Sequence, residues 1–369
     1  MTLACSETGP PVGGGARIIW KVPSGPSTET PHEPVANTAR SMVYFVTSDY
    51  RLKKIRGHDA RIIWDVSVGP ARPTPPGWNA ALAGGNVVVT KVDLFAFDTA
   101  SGASRWTYVA PDLDETGYSA IVADDSTVYS ASRTAPIYSV DARTGLARWV
   151  VDLRGGQTDV GALAPTLADG TLYICTRRTL NPLTGTLWAI DAATGQVRWS
   201  HEFTPQLPQQ GSRCFGHGGV WRDLVIQPQE DGRVFAFART TGEVRWIAPR
   251  VHDVNVSLGD IRYPAVGNST LLVTSRANTG MIVAYDPTTG AERWRYTKNS
   301  GSLFPPVIEG NTAYVDHGWI FASYDMGTGA VRWQTPRSEA DPATPLKGPV
   351  VGTDRVFIAG RDGSYALQR

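Results

Sequence analysis

Ala189-Ile190-Asp191-Ala192-Ala193-Thr194-Gly195-Gln196-Val197-Arg198-Trp199 is the stretch on which the reading of this chain turns. An apolar strand end runs into Asp, two variable residues, Thr-Gly, three more residues and Trp. The wording returns at Asp141, Gly145 and Trp149, at Asp286, Gly290 and Trp294, and at Asp325, Gly329 and Trp333. Looser copies run from Asp98 through Gly102 to Trp106 and from Ala238 through Gly242 to Trp246, with Ala238 where the others have Asp. Degenerate copies end in Arg61-Ile62-Ile63-Trp64 and Arg17-Ile18-Ile19-Trp20. Eight of the twelve tryptophans thus occupy one position of a repeat, so the chain reads as a repeat protein.

Each copy joins two short strands, such as 186–190 and 196–200. The Asp accepts from backbone N–H groups two or three residues on and closes the turn. The Gly takes the positive φ that a longer hairpin loop needs. The Trp opens the outgoing strand with a large flat surface, and a hairpin alone is marginal in water. An indole packed on the next repeat accounts for both its recurrence and its spacing.

The Trp-to-Trp steps are 44, 42, 43, 50, 47, 48 and 39 residues. Units of that length holding several short strands predict propeller blades of four strands. Blade interiors such as 86–90, 127–131, 171–175 and 271–275 are β-branched and aromatic between Gly, Asn and Asp, as strands should be. No stretch shows helical periodicity, so the predicted class is all-β. After Trp333 only 36 residues remain, enough for three strands. The missing fourth is 16–20 at the other end of the chain. The expectation is an eight-bladed β-propeller of four-stranded antiparallel blades, closed by an N-terminal strand that completes the C-terminal blade. Its boundaries are a flexible arm over 1–15 and one propeller over 16–369.

The Asp-x-x-Thr-Gly-x-x-x-Trp copies resemble the tryptophan-docking motif of the PQQ-like, quinoprotein-type eight-bladed propellers. Length and closure are most similar to the BamB-like members, over about residues 13–369. The resemblance implies a binding or scaffolding propeller outside the cytoplasm, periplasmic or at the cell surface. Fold does not carry function by itself, and many members of the family bind no quinone. The vicinal cysteine pair of PQQ-dependent alcohol dehydrogenases is absent.

A net charge of +1 gives no electrostatic footprint for nucleic acid or for an anionic membrane, and no run of 18 apolar residues spans a bilayer. Of three cysteines, Cys175 and Cys214 fall in neighbouring blades, where they either form a disulfide or remain two buried thiols. Cys5, in Thr2-Leu3-Ala4-Cys5 before a polar Gly-rich stretch, resembles the lipidation site of a bacterial lipoprotein, although no apolar segment precedes it. Membrane contact is expected only through such an anchor.

The inner strands should enter at Pro34, Ala80, Ala120, Pro165, Gly218, Pro264, Pro306 and Pro349. The residues before them give a candidate axial ligand site of His32, Glu33, Trp78, Asn79, Tyr118, His217, Arg262, Tyr263, Phe304 and Lys347. Apolar concavities with a few convergent polar groups hold ligands. The plainer reading is that these residues fill the channel around ordered water. His32, Glu33 and His217 lack metal-ligand spacing, so no metal, cofactor or catalytic residue is assigned. His58, His201, His252 and His317 read as loop or surface residues.

PQQ with calcium would need a longer chain and a Glu, Asn and Asp set beside a Trp floor, and Trp78 stands without one. The expected function is therefore non-catalytic binding by a monomer. The loops 201–215, 250–262 and 337–347 would present a surface to a protein or small ligand. The alternative is an enzyme at the axis, either a PQQ-dependent dehydrogenase or a lyase or hydrolase using the axial His, Glu, Arg and Lys.

Overall fold

A computed structural model describes residues 17–25, 34–47, 49–69, 79–90, 93–109, 119–132, 136–180, 182–205, 211–214, 216–248, 261–267, 269–275, 280–298, 305–316, 321–335, 347–360 and 363–369. Among them there is no helix, and the strands form eight antiparallel sheets. Blade one is Val35–Ala36, Met42–Val46, Arg51–Arg56 and Ile62–Ser67. The next six repeat that order. Blade eight takes Lys347–Val351, Arg355–Gly360 and Gly363–Gln368 from the C-terminus and Ile18–Pro23 from the N-terminus. Trp20 pairs with Ala366 and Val22 with Ser364, so the ring closes as the repeat count requires. In blade four the inner strand is split into Val160–Ala162 and Thr166–Ala168. Pro165 lies in the gap, where a residue without an N–H interrupts pairing.

The apolar interior is not one core. Eight clusters each join two consecutive blades, from Tyr44, Leu52, Val87 and Phe97 between blades one and two to Val43, Phe45, Phe357 and Ala366 between blades eight and one. A blade therefore has no interior of its own and is stable only against its neighbours.

The motif turns show how each seam is made. Gly102, Gly145, Gly195, Gly242, Gly290 and Gly329 all have φ between 72° and 76°. A Cβ on any of them would meet the tryptophan of the preceding blade at 2.6–2.9 Å. The glycine is thus required twice, once for its backbone and once for the indole lying on it. Among the described residues seven motif indoles also donate to a carbonyl of the next blade, as Trp149 does to Ala192 at 2.9 Å and Trp20 to Gly57 at 3.0 Å. The degenerate turn of blade one solves the backbone problem differently: Ala60 takes φ 62° there.

One device was hidden in plain sight. Every outer strand carries a register shift at the residue before its Trp. This bulge turns Arg105, Arg148, Arg198, Arg293 and Arg332 back onto Asp98, Asp141, Asp191, Asp286 and Asp325 at 2.6–2.7 Å. The other oxygen of each Asp accepts from the turn N–H groups, as Asp191 does from Ala193 and Thr194. Arg198 and the turn together hold the Asp191 carboxyl down at about 2.

Candidate axial site and the two faces of the ring

Chain order gives the ring two unlike faces. On one lie the motif turns between third and fourth strands, together with the short turns between first and second strands. On the other lie the turns between second and third strands and all connections from one blade to the next. The first face repeats one stitched design. Of the loops expected to present a surface, 206–210 and 215, 250–260 and 337–346 lie outside the described residues.

First strands of successive blades abut around the axis. Where their faces are described they are half-buried and short, two to four residues in blades one, two, five and seven. Asn79 sits at the entrance of its strand as expected, yet its amide is fully engaged: Nδ2 donates to the Ile121 carbonyl at 2.6 Å and Oδ1 accepts from Ile121 N at 3.0 Å. It clamps blade two to blade three. His217 lies at the entrance of blade five, half-buried, with Nδ1 3.1 Å from the Gly218 carbonyl; burial pushes its pKa below the usual histidine value. Thr166 of blade four donates to that same carbonyl at 2.6 Å.

The main chain places Arg262 and Tyr263 in the inner strand of blade six and Lys347 at the start of that of blade eight. His32, Glu33, Trp78, Tyr118 and Phe304 lie outside the described residues, as does Cys5. Asn79 is the described member of the ring of a type that a calcium beside a quinone takes. Both of its polar atoms are engaged with Ile121, and no chemical step through a quinone is derived from it.

The seam between blades four and five is the most elaborate. Cys175 and Cys214 form a disulfide with Cα atoms 6.2 Å apart. Around it the blade packing turns polar. Gln227 and Gln229 are fully buried, and among the described residues their Oε1 atoms have no hydrogen-bond partner. Buried Asp231 pairs with Arg233, which also donates to the Thr204 carbonyl at 2.6 Å, and Arg213 pairs with Glu230.

His201 is not the loop or surface residue expected from sequence. It lies in the strand Val197–Phe203, with ring centroids 5.1 Å from Phe203 and 4.9 Å from Phe237, because a half-buried face of the outer strand turns toward blade five. Burial, then the nearby Arg233, push its pKa down. On the opposite face Arg239 spans the seam to the Tyr173 hydroxyl at 3.2 Å and to Asp169 at 2.8 Å. Sequence reasoning missed this arginine because it stands beside Ala238, where the motif fails.

Known proteins resemble the chain in three informative ways. The sequence profile of the family described as outer membrane protein assembly factor BamB matches residues 15–120, 93–253 and 230–367. The serine/threonine-protein kinase AfsK of Streptomyces griseus is 29% identical over 50% of this chain and 22% of its own length. The quinohemoprotein alcohol dehydrogenase ADH-IIG of Pseudomonas putida is 26% identical over 56% of this chain and 29% of its own length. The chain thus spans less than a third of either of these curated relatives. The crystal structure of BamB from Moraxella catarrhalis superposes with a TM-score of 0.66 over 96% of this chain and 98% of that one, at 15% identity, and shows the shared fold. With the repeat, the closed ring of eight blades and a profile that matches from end to end, the chain belongs to the BamB-like family of PQQ-like β-propellers.

Proposed function

We propose that the chain is a rigid, non-catalytic binding module that presents its irregular connection face to a protein partner outside the cytoplasm. The observation that carries this reading is the asymmetry of the two faces. One is spent largely on a recurring turn that stitches blade to blade; the other takes, by chain order, the connections between blades, and binding functions favour such loops on rigid scaffolds. Family membership supports it, since the family's description names an assembly factor. The disulfide supports an oxidising compartment. The same proposal takes the chain as a monomer, with Cys5 on the arm 1–15 as the point of a lipid tether.

Leu180 and Leu146 give the test. Leu180 is 65% exposed on the connection face and Leu146 is 69% exposed on the motif face. A photo-crosslinking residue at 180 should capture one discrete protein, identified by mass spectrometry, and the same residue at 146 should not. Capture from 146 alone would overturn the proposal. The quinone alternative is tested with PQQ and calcium, which stabilise the fold only if it binds them; the melting temperature should stay unchanged.

A further inference from the structure

The residue before each motif tryptophan divides the ring. Six blades place an arginine there: Arg105, Arg148, Arg198, Arg245, Arg293 and Arg332. Blades eight and one place Ile19 and Ile63, preceded by Ile18 and Ile62. These four isoleucines are exposed by 40–54%. They belong to neighbouring edges, since Trp20 donates to Gly57 in the turn that leads into Ile62. One apolar strip therefore crosses the outer rim at the closure of the ring.

Its surroundings are cationic. Arg17, Lys21 and Arg61 are exposed beside it. The acids of the same strand and turn are already engaged, Asp59 by Arg56 and Asp65 by Arg51 at 2.6 Å and by Lys53 at 3.9 Å. Ile18–Pro23 and Ile62–Ser67 are both outermost strands of their sheets, and an outermost strand can accept another along its free side. A second copy would bring the same cations to the same contact, so self-pairing is disfavoured.

We propose that this strip docks an extended segment of a partner protein that alternates apolar and acidic residues, laid along Ile62–Ser67. The proposal rests on the scaffolding reading and names the chemistry of one partner contact.

The test titrates the full chain into a short labelled peptide alternating valine and glutamate, read by fluorescence anisotropy, beside a valine and lysine control. Ile19→Arg with Ile63→Arg gives blades eight and one the residue the other six carry, and thermal melting checks that the fold survives. The exposed pair Ile18→Ser with Ile62→Ser repeats the test without added charge. The glutamate peptide should bind saturably, the lysine peptide should not, and each double substitution should weaken binding by about tenfold or more. Three results overturn the proposal: no saturable binding of the glutamate peptide, binding that ignores both substitutions, or wild-type self-association in sedimentation that I19R/I63R abolishes. Failure here with the Leu180 capture intact removes the docking strip alone; loss of the Leu180 capture removes the scaffolding reading beneath it.

Discussion

The seam between blades four and five and the seam between blades eight and one hold the same kind of ring by opposite means. The first is covalent: a disulfide bridges residues 39 apart in sequence, and the Arg213–Glu230 and Asp231–Arg233 pairs lie with it on the connection face. The second joins the first and last strands of the ring, and among the described residues no covalent link crosses it. It relies on the ladder between Ile18–Pro23 and Gly363–Gln368, on Trp20 over the Gly57 turn, and on Arg355 reaching the carbonyls of Gly57 and His58. A crosslink gains most, in principle, where it closes the longest loop, which is the closure of the ring. The disulfide sits instead where buried Gln227 and Gln229 weaken the apolar packing between blades. Its place follows local packing rather than chain topology.

The largest expected effect separates the seams most sharply. Deleting residues 1–23 strips the outer strand from blade eight and the indole from blade one, and the cooperative thermal transition should disappear. A truncated chain that still melts in one sharp step would show that closure is dispensable.

Replacing Cys175 and Cys214 together by serine should leave the ring folded but less stable by about 4 kcal/mol on the chain-entropy account of a loop this size. Denaturant unfolding measures it. A loss near zero would mean that the polar contacts at this seam suffice.

Asp191→Ala, in a seam with the full motif, should cost about 1–2 kcal/mol through the lost turn bonds and the lost pair with Arg198. Ala238→Asp should give back part of such a gain where Arg245 stands exposed near Glu243. The depressed carboxyls of Asp98, Asp141, Asp191, Asp286 and Asp325 are all held down first by their arginines. Such groups stabilise the fold fully above the ordinary aspartate value of about 3.9, and lose this as pH falls through the lower folded value. The melting temperature should therefore drop steeply below about pH 4, and less steeply in Asp191→Ala.

The smallest effect belongs to His201 and His217, whose folded pKa values lie below the usual 6.5. The unfolded chain takes up protons first, so stability is complete above that value and declines as pH falls beneath it. His201→Phe should reduce the decline by about 1–2 °C of melting temperature. An unchanged slope would mean that His201 is not desolvated among Phe203, Phe235 and Phe237.

The eight blades, their closure and the positive φ of the turn glycines were legible because one pattern repeats, so each copy checks the others. The arginine before each Trp was equally visible, but its role depends on a bulge that alternation alone does not reveal. Asn79 was legible as a residue at a strand entrance, but its bonds to Ile121 of the next blade show only in the structure. The pairing of Cys175 with Cys214 stayed open for a related reason: Cys214 lies outside the repeated motif, in the connection that follows Phe203, so no register could be carried over.

The backbone N–H of Gln368 lies 2.9 Å from the carbonyl of Arg17, at the point where any other blade would have its motif turn. The first and last strands of the ring therefore meet at a site that elsewhere is spanned by an Asp-x-x-Thr-Gly loop. Joining them with such a loop, without the arm before Arg17, would give a circle in which no junction is privileged. The backbone could then be cut at the turn of another blade, and the circularly permuted product would return to the same ring with its opening moved.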